Sequence, residues 1–157
     1  MYLNNSIYQS FEVCKRLAWL LWNKGEIKNR RRDDAVFHLA LQLYPQGFDI
    51  ETIQGDLETL AYQTKRLLRK PLFNAVFISS CGAAKIDILL PINDDYWEVV
   101  NVVAARSTHL SVIKSIAFDV DTLLRCGVEV KKCTALTINP QYQREGEIDP
   151  QKFFVKH

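Results

Sequence analysis

Two kinds of residue in this chain could do chemistry by type and spacing. The first is a set of basic clusters. Lys28, Arg30, Arg31 and Arg32 follow the first helical segment, and Lys65, Arg66, Arg69 and Lys70 close the third. Such clusters can hold phosphates, and at helix ends they also complement the helix dipole. Lys131 and Lys132 add a shorter pair. The second kind is polar residues set into apolar strands: Asp87 in KIDILLPI, and Asn101 in WEVVNVVAARS with valines on both sides. An acid in a strand is ordinarily exposed or paired, and an asparagine there is ordinarily hydrogen-bonded. Other chemistries lack their residues. There is no Walker A loop, no HExxH and no Ser/His/Asp pattern, and His38, His109 and His157 do not stand at metal-ligand spacing. Cys14, Cys81, Cys126 and Cys133 contain no C-x-x-C, so no zinc site or other cofactor is expected, and the thiols read as buried or idle.

The elements that must position these residues follow from periodicity. The chain has 157 residues, enough for one domain with a core that needs no disulfide framework. Hydrophobic residues make up 48% and charged residues 24%, and the net charge is only +2, so any basic effect must be local. Apolar residues at helical spacing predict a helix over 6–24, capped by Ser6 and stopped by Gly25, with Ile7, Phe11, Cys14, Leu17 (or Ala18) and Leu21 inward. Further helices are predicted over 33–44, 56–70 and 110–127. The last turns Leu110, Ile113, Ile116 (or Ala117), Val120, Leu123 and Leu124 inward. Period-two runs predict strands over 72–79, 85–92, 96–104 and 128–138. The first three form an antiparallel meander, and the helix before the fourth is long enough for a parallel crossover. The tail 139–157 has few regular signals. No apolar run reaches the length of a membrane span, and the N-terminus lacks a signal-peptide pattern, so a cytoplasmic location and no membrane partner are expected.

Several segments resemble the PD-(D/E)xK nuclease superfamily. SFEVCKRLAWL is similar to the first helix of its RecB-like members. AVFHLALQLYPQGFDI resembles a helix-plus-turn of the form V-x-x-L-A-x-x-L-[FY]-P-x-G-x-x-I. PLFNAVF, KIDIL and WEVVNVVAARS resemble the three strands that carry the nuclease site, and SIAFDVDTLLRCGVEV resembles the helix and strand that follow. INPQYQREGEIDPQKFF resembles a tail found in one bacterial branch of the family. In that branch the domain is usually the N-terminal part of a longer chain. The resemblance implies a single domain over 1–157 with a restriction-endonuclease-like α/β core: a mixed four-stranded sheet flanked by helices, in the order αααβββαβ.

The resemblance also implies what the site should contain. Active members carry an acid on the second strand and Glu-x-Lys on the third, often with an acid on the first strand and a glutamine on the following helix. Two carboxylates hold Mg²⁺, and metal and lysine together stabilise the charge that develops on phosphate. Here Asp87 matches the second-strand acid. Asn74 stands for the first-strand acid, Asn101 for the glutamate, Val103 for the lysine and Asp119 for the glutamine. These five positions read as the remnant of a dismantled site, with no catalytic residue and no metal expected. Glu98 alternates to the opposite face, and Lys85 and Lys114 are the lysines that could stand in. Some RecB-like exonucleases hold an iron–sulfur cluster on one early and three late cysteines. Nothing follows Cys133, so no cluster is expected. The expectation is a catalytically inactive binding module. It would bind nucleic acid through Lys28, Arg30, Arg31, Arg32, Lys65 and Arg66, or bind a protein partner as a regulator or effector. An active metal-dependent nuclease with relocated residues is the third alternative.

Overall fold

A computed structural model describes residues 2–24 and 33–157. Helices begin where a side chain accepts one of the unpaired first-turn amides. Asn4 accepts from the Ile7 N–H at the start of α1 (Asn5–Val13). One extended residue, Cys14, separates α1 from α2 (Lys15–Lys24). The predicted helix over 6–24 is therefore two helices, capped by Asn4 rather than Ser6. No proline or glycine marks the break, so nothing local announced it. Asp33 caps α3 (Asp34–Leu41), and Asp49 caps a 3₁₀ turn over Ile50–Thr52. Asp56 caps α4 (Leu57–Arg66). The long crossover helix α5 (Leu110–Arg125) ends before Gly127, whose positive φ of 77° suits the glycine found there.

Among the described residues the sheet has six strands in sequence order: β1 Phe48–Asp49, β2 Leu72–Ile78, β3 Ala83–Pro91, β4 Tyr96–Val103, β5 Glu129–Ile138 and β6 Phe154–Lys156. β2, β3 and β4 form the antiparallel meander, and β4 and β5 run parallel across α5, as the sequence implied. The four-stranded expectation is corrected at both edges. β1 adds in parallel to β2, and β6, delivered by the short helix α6 (Pro150–Phe153), adds antiparallel to β5. Strands of two and three residues are too short to show an alternation in sequence.

The sheet is covered on both faces. Ile50, Leu72, Phe77, Ile86, Leu89, Val99 and Leu123 form one core cluster, against which Leu60 of α4 and Phe118 of α5 pack. Phe37, Ala40, Phe73, Ile88, Val100, Leu136 and Phe154 form the other, on the face covered by α3 and the C-terminal segment. All four cysteines are free, and of the buried-or-idle expectation burial does not apply to Cys14, Cys81 and Cys133, which are exposed. Cys126 is half-buried beside the Ile78 carbonyl, and that burial pushes its thiol pKa up. No helix among the described residues is long and apolar enough to cross a membrane.

Comparing the clusters strand by strand reveals a fault line across the sheet. Side chains of a regular strand alternate between faces. In β2, Leu72 joins the first cluster and Phe73 the second, yet Ala75 and Phe77 join the first again. The alternation therefore slips by one residue at Asn74, the only non-glycine residue with positive φ among those described (52°). β3 slips in concert: Ile86 faces the first cluster, Ile88 the second and Leu89 the first, so the break falls at Asp87. The flanking pairs Phe73↔Ile88 and Ala75↔Ile86 keep the two breaks level. Asparagine tolerates the left-handed region far better than a β-branched residue. Asn74→Val should lower the unfolding free energy by about 2–4 kcal/mol, from backbone strain and a lost buried hydrogen bond. Asn74→Gly, which keeps the backbone but loses the amide, should cost clearly less. Urea unfolding of the two variants checks the difference.

Candidate functional site

The fault line runs through the predicted site. Asn74 and Asp87 lie opposite each other on β2 and β3, between the two flanking pairs. Ile88↔Val100 is the last pair of β3 and β4, and Asp87 and Asn101 are the residues next to it on the two strands. Three of the five positions singled out from sequence therefore fall side by side on adjacent strands. β4 itself alternates without interruption. Trp97 and Val99 face the first cluster and Val100 and Val102 the second. β3 and β4 thus fall out of phase beyond Ile88 and Val100, and their pairing stops there. The Asp87 carboxylate fills the gap by accepting the Val102 N–H at 2.9 Å. It supplies an acceptor where an uninterrupted β3 would offer a backbone carbonyl.

Each remaining position has a local reason for its residue. The Asn74 amide donates to the Asp49 carboxylate at 2.8 Å, and Asp49 also accepts the Glu51 N–H at the start of the 3₁₀ turn. That contact fastens β1 and the turn to the middle of β2. Asn101 is only 2% exposed and stands between Val99 and Val103 on the face that α5 covers. Val103 is buried with Val112 of α5 and Ala135 of β5, so the position that the resemblance assigns to a lysine is a core position here. Asp119 lies on the inner face of α5, 2% exposed, and accepts the Asn5 amide at 3.1 Å. The same Asn5 amide reaches the Ser115 hydroxyl at 2.6 Å, so one side chain of α1 holds two buried polar groups of α5.

The stand-in residues are engaged elsewhere. Lys85 pairs with Glu51. Lys114 pairs with Glu12 of α1, a hydrogen bond and a neighbouring charge that raise its pKa above the ordinary lysine value. Glu98 takes the Thr134 hydroxyl at 2.6 Å and Lys132 at 3.0 Å. Among the described residues, no three His, Cys, Asp or Glu side chains are grouped so as to hold a metal ion. Of the basic clusters, Lys28, Arg30, Arg31 and Arg32 lie outside the described residues. Lys65 and Arg66 are exposed at the end of α4, with Arg66 over the Tyr62 ring. Sequence reading missed Asp49, Asn5 and Ser115. Asp49 carried a weak signal as the acid of the QGFDI turn, but its two-residue strand has no readable pattern.

No family model matches this chain, and no curated protein matches it. The row Asn74–Asp87–Asn101 must therefore be judged on its own chemistry. It offers amides and one carboxylate, each built into the sheet, and the fault line that assembles them costs regular ladder bonds. Asp87→Ala should lower stability by about 1–3 kcal/mol, because it leaves the Val102 amide without this acceptor. Asp87→Asn, which keeps an acceptor oxygen, should cost less. Amide exchange at Val102 should accelerate in the alanine variant, and NMR reads it directly.

Proposed function

We propose that this chain is a binding module on a restriction-endonuclease-like fold whose nuclease site has been dismantled, and that its partner is a protein. The observation that carries the first half is the way the site positions are filled. Asn74 is fastened to Asp49, Asp87 replaces a ladder acceptor, Asn101 is enclosed, and Val103 belongs to the core. A Glu-x-Lys pair at 101 and 103 would put charges where the fold now excludes water. The αβββαβ order of α4, β2, β3, β4, α5 and β5, and the near-level placing of the three strand positions, support kinship with the nuclease fold.

A protein partner is supported by the apolar side chains left outside the core. α2 is apolar on most sides but buries only Ala18, while Trp19 is 63% exposed and Leu17, Leu20 and Trp22 are also exposed. Val13 at the end of α1 is 84% exposed. Scattered apolar residues on a surface need no explanation, but four large apolar side chains exposed on one ten-residue helix favour an interaction site over scatter. The second reading, nucleic-acid binding, rests on the exposed Lys65 and Arg66.

Calorimetric titration with Mn²⁺ should show no saturable binding, and labelled single- and double-stranded DNA should stay intact with and without metal. Tight metal binding that is lost in Asp87→Ala, together with metal-dependent cutting, would overturn the proposal. Restoring the family pattern should damage the fold rather than revive it: Asn101→Glu should cost about 3–5 kcal/mol as an unpaired buried charge. For the second reading, Lys65→Glu with Arg66→Glu would have to weaken DNA binding and flatten its salt dependence. Under the protein-partner reading, DNA affinity at physiological salt is negligible in both forms.

A further inference from the structure

α5 is an amphipathic helix mounted with its polar stripe inward. Its inner face buries Val112, Ser115, Asp119, Thr122 and Leu123. The sequence expectation placed Leu110, Ile113 and Leu124 inward, and the structure overturns it: they are 66%, 59% and 45% exposed. With Ala117 and Val120 they form the run 110–113–117–120–124, spaced three, four, three, four. That spacing lays the five side chains along one stripe of the helix, as the a and d positions of a helix–helix seam do. The inner face is already satisfied: Asn5 of α1 holds Ser115 and Asp119, and Leu123 belongs to the main core. α5 therefore carries two stripes: on the outer one Leu110, Ile113, Ala117 and Leu124 are exposed, while Val120 at its edge also packs on the main core cluster. The ion pair between Glu12 and Lys114 brings the end of α1 beside the flank of this stripe.

We propose that the outer stripe of α5 is a homodimer interface, in which two copies of the chain pair α5 against α5 antiparallel about a two-fold axis. This deepens the protein-partner reading and rests on it. The charges bordering the stripe select a second copy as occupant. Lys114 and Asp121 flank it on one side, three residues before and four after Ala117. In an antiparallel pairing centred near Ala117, each Lys114 comes to the level of the second copy's Asp121, and the contact is made twice by symmetry. Both side chains are partly exposed at present, on Glu12 and Arg125 respectively. Ala117, the smallest residue of the stripe, falls near the axis, where it lets the two backbones approach. The pattern is thus self-complementary in shape and in charge.

Sedimentation equilibrium of the whole chain over a wide concentration range tests this. The wild type should be dimeric, and Ile113→Glu should weaken the dimer by about 100-fold or more, as expected for a charge in the centre of an apolar interface. Lys114→Glu and Asp121→Lys should each weaken it by about tenfold. The double variant Lys114→Glu/Asp121→Lys restores opposite charges between copies and should recover dimerisation to within about threefold of wild type. Thermal unfolding of every variant separates loss of pairing from loss of fold. A wild type that stays monomeric at all concentrations overturns the proposal, and a double variant no better than either single one overturns the antiparallel arrangement. Neither result alters the outcome of the metal titration and cleavage assay, so the non-cutting reading fails or stands separately.

Discussion

The sheet depends on a single concerted slip, at Asn74 in β2 and Asp87 in β3. Without it, Phe73 would share a face with Ala75 and Phe77, and Ile88 would share one with Ile86. The slip lets Phe73 and Ile88 serve the cluster beneath α3, while their neighbours on either side serve the cluster beneath α4 and α5. Two side chains make it tenable. Asn74 adopts the left-handed backbone and anchors to Asp49, and Asp87 accepts the Val102 amide where the ladder ends. Because β3 and β4 separate at this point, β4 continues on its own alternation and pairs with β5 along its whole length.

The same place is where the resemblance to nucleases put a catalytic centre. A sheet that splits between two strands presents polar groups that regular pairing would consume. A carboxylate at Asp87 can therefore serve either as a ligand or as a structural acceptor. In this chain the neighbouring positions make it an acceptor. Asn74 is neutral, Asn101 is enclosed and Val103 is apolar, so no clustered negative charge opposes burial here.

α5 shows a second consequence of burying polar groups. Its inner face holds Ser115, Asp119 and Thr122, which an ordinary crossover helix would present to water. They are tolerated because Asn5 of α1 and the Phe118 carbonyl take part in their hydrogen bonds. Turning these groups inward necessarily turns Leu110, Ile113 and Leu124 outward. The exposed seam and the buried polar cluster are therefore one structural decision, read from opposite sides of the helix. α1 contributes to both, with Asn5 at the cluster and Glu12 beside the seam.

The sequence by itself determined the helices from α3 to α5, the strands β2 to β5 and their direction, because periodicity and turn residues are local signals that survive tertiary packing. It also located Asn74, Asp87 and Asn101 as the polar positions of the central strands. Tertiary structure decided the rest. The edge strands β1 and β6 are too short to carry a pattern and exist only because β2 and β5 offer edges to pair with. The break at Cys14 has no residue signature. The face of α5 was read half right: Leu123 joins the core and Ile116 and Val120 pack against core clusters, but Leu110, Ile113 and Leu124 face out, because hydrophobicity reports which side chains prefer burial and α5 has two competing sides. Buried partners such as Asn5 settled which side won, and they lie 110 residues away in the chain. The fate of the site was decided in the same way, since Asp49, whose carboxylate holds Asn74, reaches it across 25 residues and from another strand.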